Sequence, residues 1–248
     1  MTQKANMSPN IYWMLVDASQ NPPEPGQVLS TSELAKFASF RFPKRRDEWL
    51  LGRWAAKSLA SSLPEYHPFP LDQIEIINSP EGAPYIQVLN ESATHCSLSL
   101  SHSGKMALCA LSMVHALHVG VDLEKIETRT ETFVLDYFTP AECRLVETFH
   151  DETRAEAVTL IWSAKESMLK ALGVGLRQDT RSVEVRALRG IPYETGVDWN
   201  KIEIGEPGTE GHAWSAWWQL RGEYILTLAA FAATQAEIQS VRLVQKQE

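Results

Sequence analysis

Cysteine is scarce: Cys96, Cys109 and Cys143 are the three thiols of a 248-residue chain. They form no C-x-x-C pair and are odd in number, so neither a disulfide framework nor a thiolate metal site is suggested, and buried free thiols are expected. Long apolar runs are missing as well. Nowhere do about eighteen apolar residues follow one another, which argues against a membrane-spanning helix. The opening MTQKANMSPNIYWMLV lacks the charged head, apolar run and small-residue cleavage site of a signal peptide, so a cytoplasmic location is expected. Basic charge is in deficit, with 23 Lys and Arg against 31 Asp and Glu and a net charge of −8. That balance argues against general nucleic-acid binding but leaves room for a local basic patch.

What is present suits an ordinary globular protein: 44% hydrophobic and 22% charged residues, with length for one large domain or two small ones. IYWMLV at 11–16 reads as a buried strand and the following NPPEPGQ as a loop. Ser32 or Thr31 is expected to cap a short helix from Glu33 to about Phe40. KRRDEWLLGRWAAKSLASSL continues as a longer helix with Leu51, Trp54, Ala55, Ser58 and Leu59 inward, ended by Pro64. Strands are expected at 73–77, 85–89, 97–101 and 106–113. The second half repeats this grammar. HVGVDLE reads as a strand, Thr139-Pro140-Ala141-Glu142 as a capped helix start, and a longer helix from about Thr153 stops at Gly173. Strands resume at 182–187, 213–220 and 223–231. The expectation is an α+β chain of two related lobes, 1–115 and 116–248, each a long helix on a small, mainly antiparallel sheet, with a ligand cleft between them.

Several residues could carry chemistry. In GVDLE, Asp122 and Glu124 are two apart on a strand and point to one side, a repulsive arrangement that a hard cation such as Mg²⁺ relieves. A lone D-x-E is more often a solvated strand face, but Glu166 offers a third carboxylate if the long helix packs alongside. In WSAKESMLKALG, Glu166 and Lys170 are four apart on one helix face, which taken alone reads as an exposed ion pair. Ser101 and His102, before Gly104, could hold phosphate oxygens. They make a poor nucleophile and base, because adjacent strand residues point apart, so a serine hydrolase is rejected. Lys36 and the helix face carrying Arg46, Arg53 and Lys57 form a basic patch, read either as solvated surface or as a phosphate anchor.

Taken in order, Ser101-His102, Gly120-x-Asp122-x-Glu124 and Trp162-Ser163-x-Lys165-Glu166-x-x-x-Lys170, with FTPAE at 138–142, resemble the 4′-phosphopantetheinyl transferases of the two-lobed Sfp type. The resemblance runs from about Leu29 to Leu228, outside the motifs only as a matching order of elements. It implies transfer of the phosphopantetheine arm of coenzyme A to a serine of an acyl, peptidyl or aryl carrier protein, with Mg²⁺ on the pyrophosphate; a monomer is expected because the two lobes already supply both sides of the cleft. By the same resemblance the metal carboxylates are Asp122, Glu124 and Glu166, and the catalytic groups Glu166, Lys170 and Asp122. The resemblance puts coenzyme A contacts on Lys36, Arg53, Ser101, His102 and Lys170, and the basic helix face adds Arg46 to the expected set. One departure stands out: Gly82-Ala83-Pro84 replaces the G-K-P or G-R-P of many relatives, which implies weaker coenzyme A binding or compensation by Arg46 or Lys44. Two rivals remain, a Mg²⁺-dependent nucleotide hydrolase and a catalytically weak carrier-protein binder.

Overall fold

The structure is a computed structural model that describes residues 9–20, 22–89, 91–92, 96–188, 191, 199–206, 213–232, 238 and 241–246. Strand β1 (Asn10–Asp17) leads to a single turn, α1 (Pro25–Val28), inside the segment expected to be loop. Helix α2 (Thr31–Ser39) starts two residues earlier than expected. Its cap is Ser30, because only Ser30 stands three residues before Glu33 and can exchange the reciprocal bonds of a capping box. Helix α3 (Pro43–Ser61) buries Leu51, Trp54, Ala55 and Leu59. Three short strands, β2 (Ile74–Asn78), β3 (Pro84–Val88) and β4 (Glu91–Ser92), form a small antiparallel sheet. Strands β5 (Ser97–Ser103) and β6 (Met106–Ser112) form a hairpin that turns at Gly104, where φ is +59°.

Strand β7 (His118–Lys125) opens the second half, followed by α4 (Glu131–Tyr137), α5 (Pro140–Val146) and α6 (Asp151–Ala171). Strands β8 (Glu184–Leu188), β9 (Asn200–Gly205), β10 (Ala213–Arg221) and β11 (Tyr224–Ala232) complete an antiparallel sheet in the order β7-β11-β10-β9-β8. The chain then returns. Strand β12 (Arg242–Gln245) pairs parallel with β1, so residues far beyond the link between β6 and β7 finish the first sheet, whose order is β12-β1-β6-β5.

The core has three parts. Helix α3 packs on one face of the first sheet, burying Met14, Val16, Leu98, Ala107 and Leu111. Helix α6 packs on β7 and β11 and buries Leu160, Ile161, Ala164, Met168 and Leu169. Between the two sheets Ile11, Trp13 and Leu108 meet Val121, Leu123, Leu226 and Leu228. The fold is therefore α+β, with one long helix on each of two larger sheets, and β5 and β7 lie side by side where the halves join.

Candidate active site at the junction of the two halves

Alternation along β7 divides its side chains: Val119, Val121 and Leu123 enter the central core, while Gly120, Asp122 and Glu124 face α6. Glycine at 120 is required by contact. A Cβ there would lie 1.9 Å from the Ser167 carbonyl oxygen and 2.5 Å from the Ala171 nitrogen. The strand backbone thus touches the helix backbone, and the next inward residue, Asp122, lands against the last turn of α6.

Asp122 is buried, and its Oδ1 accepts hydrogen bonds from Lys170 Nζ at 2.6 Å and Ser101 Oγ at 2.8 Å. Lys170 Nζ also reaches Ser101 Oγ at 3.2 Å and stands 3.6 Å from Glu166 Oε2. The i,i+4 pair expected on the surface is therefore partly buried, and the stronger partner of Lys170 comes from the neighbouring strand. Asp122 Oδ2 is buried without a hydrogen-bond partner among the described residues. Glu124 accepts from Trp162 Nε1 at 3.2 Å, while Arg129 stands 3.6 Å from its other oxygen. Trp162 is itself held edge-on by Phe133 and Tyr137.

These environments set the charges. Burial, with repulsion from Asp122 and Glu166, pushes the Glu124 carboxyl up to about 7. Burial and Asp122 likewise raise Glu166. Burial alone would lower Lys170, but attraction to Asp122 and Glu166 outweighs it and holds the ammonium above its ordinary range. Among the described residues no three His, Cys, Asp or Glu side chains converge as a ready-made metal cage. The expected carboxylate triad is thus not closed as it stands, because Lys170 takes Asp122 Oδ1 and Trp162 takes one oxygen of Glu124. Mg²⁺ seldom uses such a cage; one or two carboxylates plus substrate phosphate and water are its habit. The unpartnered Asp122 Oδ2 beside two carboxyls held above their normal range fits that donor set.

Two cavities flank this cluster. One, of about 300 Å³, is lined by Lys36, Arg45, Arg53, Asn78, Ser101 and His102 among others. Arg53 stacks over Trp49 at 4.6 Å and donates to Asn78 Oδ1 at 3.3 Å. The other, of about 400 Å³, is lined by Ala83, Ser97, Ser99, Val119, Lys170 and Ala171 among others, and shares Gly82, Pro84 and Leu100 with the first. The Lys170–Ser101 contact therefore lies where the cavities adjoin.

The basic helix face divides. Arg46 turns away, donating to the Phe40 carbonyl at 2.8 Å and stacking on Phe37, whereas its neighbour Arg45 lines the cavity. Lys57 is fully buried, bonded to the Val28 carbonyl at 2.6 Å and paired with Glu33, as is Arg53 on its inner side. Helical spacing alone could not show that Glu33 pairs with Lys57 and with the inner side of Arg53, or that Arg46 is drawn to the Phe40 carbonyl. A second buried pair escaped sequence reasoning. Lys165 Nζ bonds Glu142 Oε2 at 2.6 Å and the Val183 carbonyl at 2.8 Å, while Glu142 also accepts from the nitrogens of Thr139 and Val185. The lysine beside Glu166 and the glutamate of FTPAE thus fasten α5, α6 and β8 together.

Residues 118–229 match the family model described as the 4′-phosphopantetheinyl transferase superfamily. That stretch of the chain is similar to the superfamily. It is 28% identical over 183 residues to the 4′-phosphopantetheinyl transferase HetI of a Nostoc species, covering 71% of this chain and 73% of that protein. It is 26% identical over 172 residues to the 4′-phosphopantetheinyl transferase Sfp of Bacillus subtilis, covering 64% and 71%. A further 4′-phosphopantetheinyl transferase of Bacillus subtilis is 31% identical over 105 residues, and there the chain spans only 44% of its relative's length. Among solved structures, a holo-(acyl-carrier-protein) synthase from Bacillus anthracis in complex with CoA (3′,5′-ADP) aligns with 43% of this chain at 20% identity and a TM-score of 0.36. The superfamily match includes Asp122, Glu124, Glu166 and Lys170, while Lys36, Arg45 and Arg53 lie outside it.

Proposed function

We propose that this phosphopantetheinyl transferase moves the 4′-phosphopantetheine arm of coenzyme A to a serine hydroxyl of an apo carrier protein, leaving adenosine 3′,5′-bisphosphate. The observation that carries the reading is Lys170 Nζ bridging Asp122 and Ser101 where the cationic cavity adjoins the second cleft. In this reading Lys36, Arg45 and Arg53 receive the nucleotide end, and Ser101 and His102 hold pyrophosphate oxygens. Mg²⁺, when bound through Asp122 with Glu124 or Glu166, neutralises the pyrophosphate and polarises its phosphorus–oxygen bond.

The carrier serine oxygen forms a bond to the phosphorus bearing the pantetheine arm as the bond to the nucleotide oxygen breaks. Glu166, whose raised proton affinity suits a base, accepts the serine proton. Lys170, kept charged by its carboxylates, meets the negative charge growing on the departing phosphate. We infer a monomer working in the cytoplasm, since residues from both halves already complete the site; among the described residues no helix is long and apolar enough to cross a membrane. The rival nucleotide hydrolase would consume coenzyme A without a carrier. Incubation with coenzyme A and Mg²⁺, with and without apo carrier, separates the two: transfer requires carrier-dependent release of adenosine 3′,5′-bisphosphate, and carrier-independent release would replace it with hydrolysis.

A further inference from the structure

Strand β5 reads S-L-S-L-S from Ser97 to Ser101. The core explains only the leucines, which pack with α3. On the other side runs β7, the edge strand of its sheet among the described residues, with outward N–H groups that no described strand of that sheet takes. Enclosed between the halves, those donors need acceptors. Ser97 Oγ accepts from the Val119 nitrogen at 3.0 Å, and Ser99 Oγ from the Val121 nitrogen at 2.9 Å. Both pairs are 22 residues apart, so the strands run in the same direction and advance in step. The next serine in the row is Ser101, whose hydroxyl meets Asp122 and Lys170.

We propose that Ser97 and Ser99 are positioning residues: their hydroxyls lock the register of β7 against β5 and thereby hold Asp122 and Lys170 on Ser101. A slip by one residue would turn Asp122 toward the apolar core. A slip by two would carry it roughly 6.6 Å from Ser101, out of hydrogen-bond range. Neither serine takes part in the bond changes proposed above, so the effect acts through geometry, and its catalytic readout rests on the transferase reading.

The test compares full-length parent, Ser97→Ala, Ser99→Ala and Ser99→Thr, assayed with coenzyme A and an apo acyl carrier protein well below their melting temperatures. Side chains that merely satisfy two N–H groups would lower Tm and leave kcat unchanged in the folded enzyme. As positioning groups they lower kcat about 10- to 100-fold in the alanine variants, the scale of a misplacement near 1 Å, with KM for coenzyme A changed less than about threefold. Threonine keeps the oxygen, so Ser99→Thr restores most of kcat. Hydrogen exchange at the Val119 and Val121 amides quickens in the alanine variants. Parental kcat in both alanine variants, or no rescue by a folded Ser99→Thr, overturns the proposal. If Ser99→Ala does not fold, Ser97→Ala, whose serine is only half buried, carries the comparison. Should the parent transfer nothing, the transferase reading falls by itself, and amide exchange still decides: faster exchange supports the register pins and unchanged exchange refutes them.

Discussion

Lys170 has partners of unequal weight. Asp122 Oδ1 stands 2.6 Å away and Glu166 Oε2 3.6 Å away, so the lysine is tied more closely to β7 than to its own helix. A phosphate entering the site competes for those same protons, and the interaction strengthens as charge accumulates on the leaving oxygen. Lys170→Ala is therefore expected to lower kcat by roughly a hundredfold or more while KM for coenzyme A moves much less. Glu166→Gln should be similarly slow; steady-state kinetics of both variants checks this, and parental rates would return the pair to a structural role. Glu124 supplies a pH test. Its carboxyl is pushed from an ordinary 4.5 up to about 7, by burial first and then by Asp122 and Glu166. Between these values the folded, metal-free protein holds a proton that the unfolded chain has lost, so this group's contribution to stability falls as pH rises toward 7. Mg²⁺ needs the ionised form, so its affinity rises over the same interval. Melting curves of parent and Glu124→Gln, with and without Mg²⁺ from pH 5 to 8, should show both slopes in the parent and flatter ones in the variant, which lacks this titrating group; identical curves would count against this.

Two glycines, one where β7 touches α6 and one inside α3, should respond oppositely to the same change. Gly120→Ala forces a methyl into the backbone of α6, with 1.9 Å to the Ser167 oxygen, and overpacking of this kind costs typically about 1–3 kcal/mol or more. For a chain of this size that lowers Tm by roughly 2–12 °C. Gly52 lies inside α3 with nothing within 4 Å of a built Cβ, and it lines the cationic cavity. Gly52→Ala should raise Tm, since alanine is favoured in a helix interior by about 1 kcal/mol, yet weaken coenzyme A binding by filling the cavity floor. Calorimetry of melting and of binding checks both; a stabilised Gly120→Ala, or unchanged affinity in Gly52→Ala, would contradict the packing described. These glycines also mark how far the sequence could be read. GVDLE and the spacing of Glu166 and Lys170 placed carboxylates and ammonium on defined faces, because strand and helix periods are local properties. Which cation on α3 reaches the cavity was not legible: Arg45 and Arg46 are neighbours, and the choice depends on Phe37 and the Phe40 carbonyl capturing one of them. The Lys165–Glu142 bond was equally hidden, since 23 residues separate the partners and only the docking of α5 on α6 brings them together.

At the scale of the whole molecule, the site exists because two sheets meet beside β5 and β7, with Ser101 coming from the first half and Asp122, Glu166 and Lys170 from the second. The periodic pattern made the helix-on-sheet plan of both halves legible, but not the return of the chain to its beginning. Strand β12 is short and its side chains are only partly buried or exposed, so no alternation announces it, and its partner β1 lies more than two hundred residues away. Deleting residues 241–248 removes that parallel strand and bares the edge of β1. The expected result is a lower Tm with transfer retained at low temperature, measured on the truncated chain; loss of transfer without loss of stability would assign the strand to the site instead. Whether residues from both halves form one transferase site is tested most directly by mass spectrometry of apo acyl, peptidyl and aryl carrier proteins incubated with coenzyme A. With Mg²⁺ the parent is predicted to add one phosphopantetheine mass to the reactive serine of at least one carrier, EDTA to abolish the addition, and Lys170→Ala to slow it about a hundredfold. Unmodified carriers throughout the panel while coenzyme A is hydrolysed, or an equal rate of addition by Lys170→Ala, would contradict it.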